Sequence, residues 1–195
     1  MGARERLTVS ALILAGGKAT RFGGVAKHEL VVDGEPIFTR QVRVLAPRVA
    51  QILVSSPRDI AGYRTLRDPV EGVGPLAGIA AGLAACNTPW LLVVAGDMPY
   101  INEPLIDQLI DRAHASFDPH AADSVDAVGI RIDGLPEPLV CVLHTRILPA
   151  VERRIAAGDY KASRLLTDEK LRVDWIDDAD RQTLRNVNSP EDLRR

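Results

Sequence analysis

The segment VSALILAGGKATRFGGVAKHEL, residues 9–30, constrains this chain more than any other. Its uncharged, mostly apolar start, Val9–Leu14, has the length and composition of a strand buried on both faces. The strand runs straight into Ala15-Gly16-Gly17, where paired glycines let the backbone approach a ligand without a Cβ in the way. Cations follow at Lys18, Arg21 and Lys27, with Gly23-Gly24 between them. A buried strand opening into a glycine-rich basic loop can hold phosphates, because amide N–H groups line it and positive side chains close over it. The spacing excludes a Walker A loop, which needs G-x-x-x-x-G-K-[ST], and the G-x-G-x-x-G dinucleotide fingerprint. A surface loop with solvated charges is the competing explanation.

Composition narrows the class. The 195 residues suit one domain with a substantial core, 46% hydrophobic and 26% charged. A net charge of −2 gives no electrostatic reason to expect nucleic acid or an anionic membrane as partner, so anion binding must be local. Apolar runs are strand-length, too short to span a bilayer. MGARERLTVS has no apolar core of a signal peptide and no myristoylation pattern, so a cytoplasmic protein is expected. Cys86 and Cys141, far apart in apolar surroundings, read as buried free thiols.

Strand-like and helix-like segments alternate along the chain. Strands are expected at residues 7–14, 51–55, 65–68, 89–95, 125–132, 139–143 and 171–176. Helices are expected at 36–46, 75–85, 103–115 and 147–157, with a further short one before the last strand and a C-terminal turn starting at Ser189-Pro190-Glu191. Alternation with buried strands predicts a three-layer α/β fold, a mostly parallel (mixed) sheet with helices on both faces. The ligand crevice of such a sheet lies at the carboxyl ends of its strands. Ala15-Gly16-Gly17, Ser55, Asp68 and Asp97 all fall just after predicted strands. A carboxylate at the tip of the buried strand before Gly96-Asp97-Met98-Pro99 is well placed to hold Mg²⁺, which prefers carboxylate, water and phosphate oxygens. Turn formation is the alternative for Asp97.

LAGGKATRFGGVAK resembles the L-A-G-G-x-x-x-R-[MF]-G-x-x-K signature of nucleotidyltransferases with the Rossmann-like sugar-nucleotide transferase fold. DPVEGVGPLAGIAAGL (68–83), VVAGDMPYI (93–101) and NVNSPEDL (186–193) resemble later motifs of one branch, the molybdenum cofactor guanylyltransferases, in that family's order. The resemblance implies transfer of GMP from GTP to molybdopterin or its molybdenum-loaded form, with Mg²⁺ as cofactor. Molybdoenzymes or their chaperones would receive the product. It implies a single nucleotidyltransferase domain over 1–195, with a nucleotide-binding half (1–100) and an acceptor half (101–195). A molybdopterin cytidylyltransferase, another small-phosphate nucleotidyltransferase, and a non-catalytic nucleotide- or cofactor-binding accessory protein are the alternatives.

By that resemblance, nucleotide contacts fall on Leu14, Ala15, Gly16, Gly17, Ser55 and Asp68, and the metal on Asp97. Lys27 would bridge the triphosphate and the attacking phosphate as a mobile point charge. Arg21 would contact the β- and γ-phosphates through its fork. Asn186 and Asn188, alternating on an extended segment, can bind phosphate, pterin or a metal-bound water, or can cap the turn that follows. Lys161 matches a basic position expected near the pterin phosphate. Helix 75–85 offers anion-attracting N–H groups at its start, while its small residues allow close packing on the sheet. Three positions depart from the family: Ala26 where aspartate precedes the lysine, Ser55 where asparagine is common, and Glu137 where histidine precedes proline.

Overall fold

The computed structural model describes residues 9–16, 29–67, 74–121, 124–168, 170–177, 179–187 and 192. Among these residues nine strands form: β1 (Val9–Leu14), β2 (Val31–Val32), β3 (Glu35–Pro36), β4 (Ile52–Ser55), β5 (Arg64–Leu66), β6 (Trp90–Ala95), β7 (Ala127–Ile132), β8 (Leu135–His144) and β9 (Val173–Ile176). The α-helices are α1 (Ile37–Leu45), α2 (Pro75–Ala85), α3 (Glu103–Ala115) and α4 (Leu148–Ala156). Seven strands make one sheet in the order β5-β4-β1-β6-β8-β7-β9, while β2 and β3 form a separate small hairpin. Every neighbouring pair is parallel except β6–β8 and β7–β8, so β8 alone runs against the rest. The sheet is therefore mixed and mostly parallel, as the alternation predicts.

All six residues of β1 and of β6 are buried. They lie at the centre of the sheet, with layers on both sides. Side chains alternate between two cores. Ala11, Ile13, Leu92, Val94, Val140 and Val142 face α1 and α3. Leu12, Leu14, Leu91, Val93, Cys141 and Leu143 face α2 and α4. The small residues of α2 bring it close to the sheet: a Cβ on Gly82 would lie 2.6 Å from Leu12 Cδ2 and 3.0 Å from Leu91 Cδ2. α3 starts where its sequence directs, with the Asn102 side chain accepting the Leu105 N–H at 3.1 Å and proline in the first turn.

The structure revises several boundaries. Pro36, expected in the first helical turn, closes β3 just before α1. A 3₁₀ turn, Thr145–Ile147, precedes α4, and the short helix after it is a 3₁₀ turn at Ala162–Arg164. β8 starts four residues before the predicted 139, because Asp133 and Gly134, both at positive φ (53° and 76°), fold it back on β7 as a tight hairpin. Asp33 and Gly34 turn β2 into β3 in the same way. Both cysteines are free thiols, Cys141 buried and Cys86 only partly so. Burial pushes the Cys141 thiol up to about 12. The predicted turn at Ser189 lies outside the described residues.

Candidate active site

The carboxyl ends of β4, β1, β6 and β7 share one edge of the sheet, and the start of β8 joins them because that strand is reversed. Backbone bonds keep the strand ends laced past the last ladder residues. Ala15 N–H donates to the Ser55 carbonyl at 2.9 Å, and Gly96 N–H to the Leu14 carbonyl at 3.0 Å. This contact leaves no room for a side chain at Gly96, where a Cβ would stand 2.7 Å from the Leu14 oxygen and 3.2 Å from Ala15 Cα.

Asp97 follows at the tip of β6, partly exposed between buried neighbours Gly96 and Met98. Two interactions fix its turn. Its carbonyl accepts the Val187 N–H at 2.8 Å, which pins the C-terminal segment to the site. Gln41 of α1, wholly buried, donates from one amide nitrogen to the Ala95 carbonyl (2.7 Å) and the Met98 carbonyl (3.1 Å), on either side of Gly96-Asp97. Asn186, beside Val187, has a side-chain oxygen that is buried and has no hydrogen-bond partner among the described residues.

Gly16 is exposed at the end of β1, with Ala15 and Leu14 buried behind it. Ser55 is only 3% exposed. It lies under the first turns of α2, where a Cβ on Gly78 would come within 2.6 Å of its hydroxyl and 2.9 Å of Leu14 Cδ2. Gly74, at φ +75°, leads into α2, whose first turn has proline, no acidic residue and no side-chain cap. Its N–H groups therefore face the same strand ends as an anion-attracting terminus.

The structure thus gathers Leu14, Ala15, Gly16, Ser55, Asp97 and, through Val187, Asn186. Lys161 is exposed just before the 3₁₀ turn that packs on β8, beside an ionic cluster in which Arg154 holds Asp159 (2.6 Å) and Asp168 (2.8 Å). The Lys170 amide and the Arg154 guanidinium keep the Asp168 carboxyl below the usual carboxylate range. Gly17, Lys18, Arg21, Ala26, Lys27, Asp68 and Asn188 lie outside the described residues. Among the described residues no three His, Cys, Asp or Glu side chains form a metal cluster, so a cation here would draw on amide and ligand oxygens as well.

Two residues at this edge were not assigned a role by the sequence reading. Gln41 is one; a signal for it existed, since Ile37, Gln41, Val44 and Leu45 fall on one helical stripe. Glu137 is the other. Burial raises its carboxyl above the usual range, the charge of Asp97 adds to that rise, and the Leu139 N–H at 3.4 Å opposes it.

Known proteins share this architecture. The structure of molybdopterin-guanine dinucleotide biosynthesis protein A from Archaeoglobus fulgidus superposes with a TM-score of 0.75, at 24% identity and with 95% of each chain covered. A 2-C-methyl-D-erythritol 4-phosphate cytidylyltransferase from Thermus thermophilus gives 0.68 at 20% identity, covering 96% of each chain, so the fold alone does not choose the base. In sequence, the molybdenum cofactor guanylyltransferase of Pseudomonas putida strain F1 is 35% identical over 190 residues, 94% of this chain and 95% of its own length. The one from Cupriavidus necator H16 is 29% identical over 202 residues, covering 100% of this chain and 98% of its own. The MobA-like NTP transferase domain model matches residues 11–173, and the chain belongs to that family.

Proposed function

We infer that this protein transfers GMP from GTP to the phosphate of molybdopterin, with or without its molybdenum, releasing pyrophosphate. The observation that carries this reading is the end-to-end similarity to molybdenum cofactor guanylyltransferases, 35% identity over 94% of the chain. In the reaction, an anionic oxygen of the acceptor phosphate attacks the α-phosphorus of GTP. A new P–O bond forms as the α–β bridging bond breaks. The attacking oxygen is already ionised, so the protein needs no general base, and positioning and charge neutralisation carry the catalysis.

The residues of the sheet edge suit those tasks. Exposed Gly16 and the uncapped start of α2 offer backbone N–H groups to phosphates. Arg21 and Lys27 carry the roles the motif gives them, Lys27 following charge as it moves onto the departing pyrophosphate. Asp68 and Ser55 belong to the nucleoside side, Asn188 and Lys161 to the acceptor side. The donor set also suits Mg²⁺: the Asp97 carboxylate and the buried, unpartnered Asn186 oxygen are hard oxygen ligands. When bound, the cation would neutralise charge on the reacting phosphates. No helix among the described residues is long and apolar enough to cross a membrane. We place the protein in the cytoplasm, delivering its product to molybdoenzymes or their chaperones.

Pyrophosphate release measured with each NTP, with and without molybdopterin, tests the reading. Turnover should require molybdopterin and favour GTP. A guanine pocket must satisfy the base's N1–H and N2–H₂ donors, and polar groups left unpaired by the wrong base give strong discrimination. Preference for CTP would select the cytidylyltransferase alternative. Binding without turnover would select an accessory protein. Asp97→Asn, which keeps shape but removes the anionic ligand, should abolish turnover without unfolding the chain.

A further inference from the structure

Glu137, near the start of β8, lies at the sheet edge where β6 gives way to the Asp97 turn. β6 and β8 pair one-to-one in antiparallel register, ending at Val94 and Val140. Asp97 follows Val94 by three residues, in the turn after β6, and Glu137 precedes Val140 by three residues on β8, so the two flank the end of this ladder at one edge of the sheet. β8 still continues at Glu137, where it pairs with Ile130 of β7, so the carboxylate sits on a sheet strand rather than a free loop. The charge of Asp97 contributes to the upward shift of the Glu137 carboxyl, in keeping with that common edge. Among the described residues Glu137 has no ion-pair partner.

A third observation points to what the pair holds. The Asn186 side-chain oxygen is buried with no hydrogen-bond partner among the described residues, and its neighbour Val187 is bonded to the Asp97 carbonyl. Two carboxylates and an orphaned amide oxygen form an all-oxygen set with excess negative charge. Such a set repels a triphosphate and an acceptor phosphate unless a cation intervenes, and a hard divalent cation takes these ligands together with phosphate oxygens.

We propose that Glu137 is a second carboxylate ligand of the divalent cation at Asp97, so that one cation is held between β6 and β8. The proposal rests on the metal role given to Asp97 above. It makes Glu137 a functional replacement in this chain for the histidine its relatives are expected to carry. It also ties the nucleotide half of the sheet to the acceptor half through one ion.

Mn²⁺ is the probe, with free Mn²⁺ followed by electron paramagnetic resonance in the full-length, nucleotide-free protein. The wild type should bind one Mn²⁺. Glu137→Gln should weaken binding roughly tenfold or more, while its melting temperature in EDTA stays at or above that of the wild type. Asp97→Asn should weaken it at least as much. Because both ligands serve one ion, the double variant should lose much less than the product of the single effects. Wild-type Mn²⁺ affinity in Glu137→Gln, two independent ions, or no binding by the wild type would overturn the proposal. If Asp97→Asn loses Mn²⁺ and Glu137→Gln keeps it, only the role of Glu137 fails. If Asp97→Asn keeps it, the metal reading of Asp97 fails as well.

Discussion

Gln41→Met removes the brace of the Asp97 turn while conserving volume in a buried place. The amide nitrogen of Gln41 holds two carbonyls at 2.7 and 3.1 Å, and its oxygen is buried with no partner among the described residues. The reverse amide orientation would press that oxygen against both carbonyls, so the orphaned atom is the consequence of bracing the loop. Each buried bond contributes about 1 kcal/mol net, and losing both costs about 2 kcal/mol. The Met98 carbonyl then loses its buried donor, a further loss of about 1–3 kcal/mol, and removal of the orphaned oxygen returns a similar amount. The balance is about 2 kcal/mol, or a melting temperature about 4–8 °C lower for a chain of this length. Function should suffer more than stability. With the turn released, Asp97 is free to shift, and misplacement on the scale of 1 Å can cost about a hundredfold in rate. In a pyrophosphate-release assay well below the melting transition, turnover at saturating GTP and molybdopterin should fall by roughly tenfold to a hundredfold. The Mg²⁺ concentration for half-maximal rate should rise. Wild-type turnover and Mg²⁺ dependence in a variant whose melting temperature has dropped would show that Gln41 only packs the core.

Gly96→Ala should damage both fold and turnover, because its Cβ would lie 2.7 Å from a main-chain oxygen that cannot rotate away. The expected loss is about 1–3 kcal/mol, and a melting temperature equal to the wild type would contradict it. Lys27→Ala should lower the transfer rate roughly a hundredfold or more if it supplies a preorganised charge contact; unchanged kcat with weaker GTP binding would instead mark uniform binding. His144 packs against the rings of Trp90 and Phe117 and accepts the Arg146 N–H at 3.2 Å. Burial, with the nearby Arg146 charge, lowers its pKa below the ordinary 6.5. The unfolded chain therefore takes up this proton first, and stability is lost as pH falls below about 6.5 through the folded value. His144→Asn keeps an acceptor but not the titration, so its stability should fall less steeply between pH 6.5 and 5 in urea unfolding. Parallel curves would refute the assignment.

The central strands were legible because burial on both faces leaves only uncharged sequence, as in β1 and β6. The limits of α2 and α3 were legible because Pro75 and the Asn102-Glu103-Pro104 sequence dictate where each helix starts. The places of Asp97 and Gly16 just past the ends of β6 and β1 followed from the strand pattern alone, and a parallel sheet puts its crevice at such ends. Gln41 was harder to read. A glutamine on an amphipathic helix is usually solvated, and only the packing of α1 shows that this one lies inside. Ser55 was legible as the end of its strand, but no sequence pattern showed that Gly78 would lay α2 directly over it. That contact joins two segments more than twenty residues apart and exists only once both have formed.

The boundary error at β8 and the unassigned Glu137 have one cause. Asp133-Gly134 between apolar runs is a strong hairpin signal, yet Pro136 and Pro138 argue against a strand, because proline removes a ladder donor. The structure accommodates Pro138 where the β7–β8 register shifts, between the pairs Val128–Val142 and Ile130–Glu137. The strand can therefore start at Leu135 and carry Glu137 past the end of β6. Had the chain left the sheet at Pro138, residue 137 would hang in a loop with no fixed relation to Asp97. The reversed strand is thus what brings an acidic side chain to the edge of the sheet where β6 ends. The irregular ladder at Pro138 is the local concession that permits it.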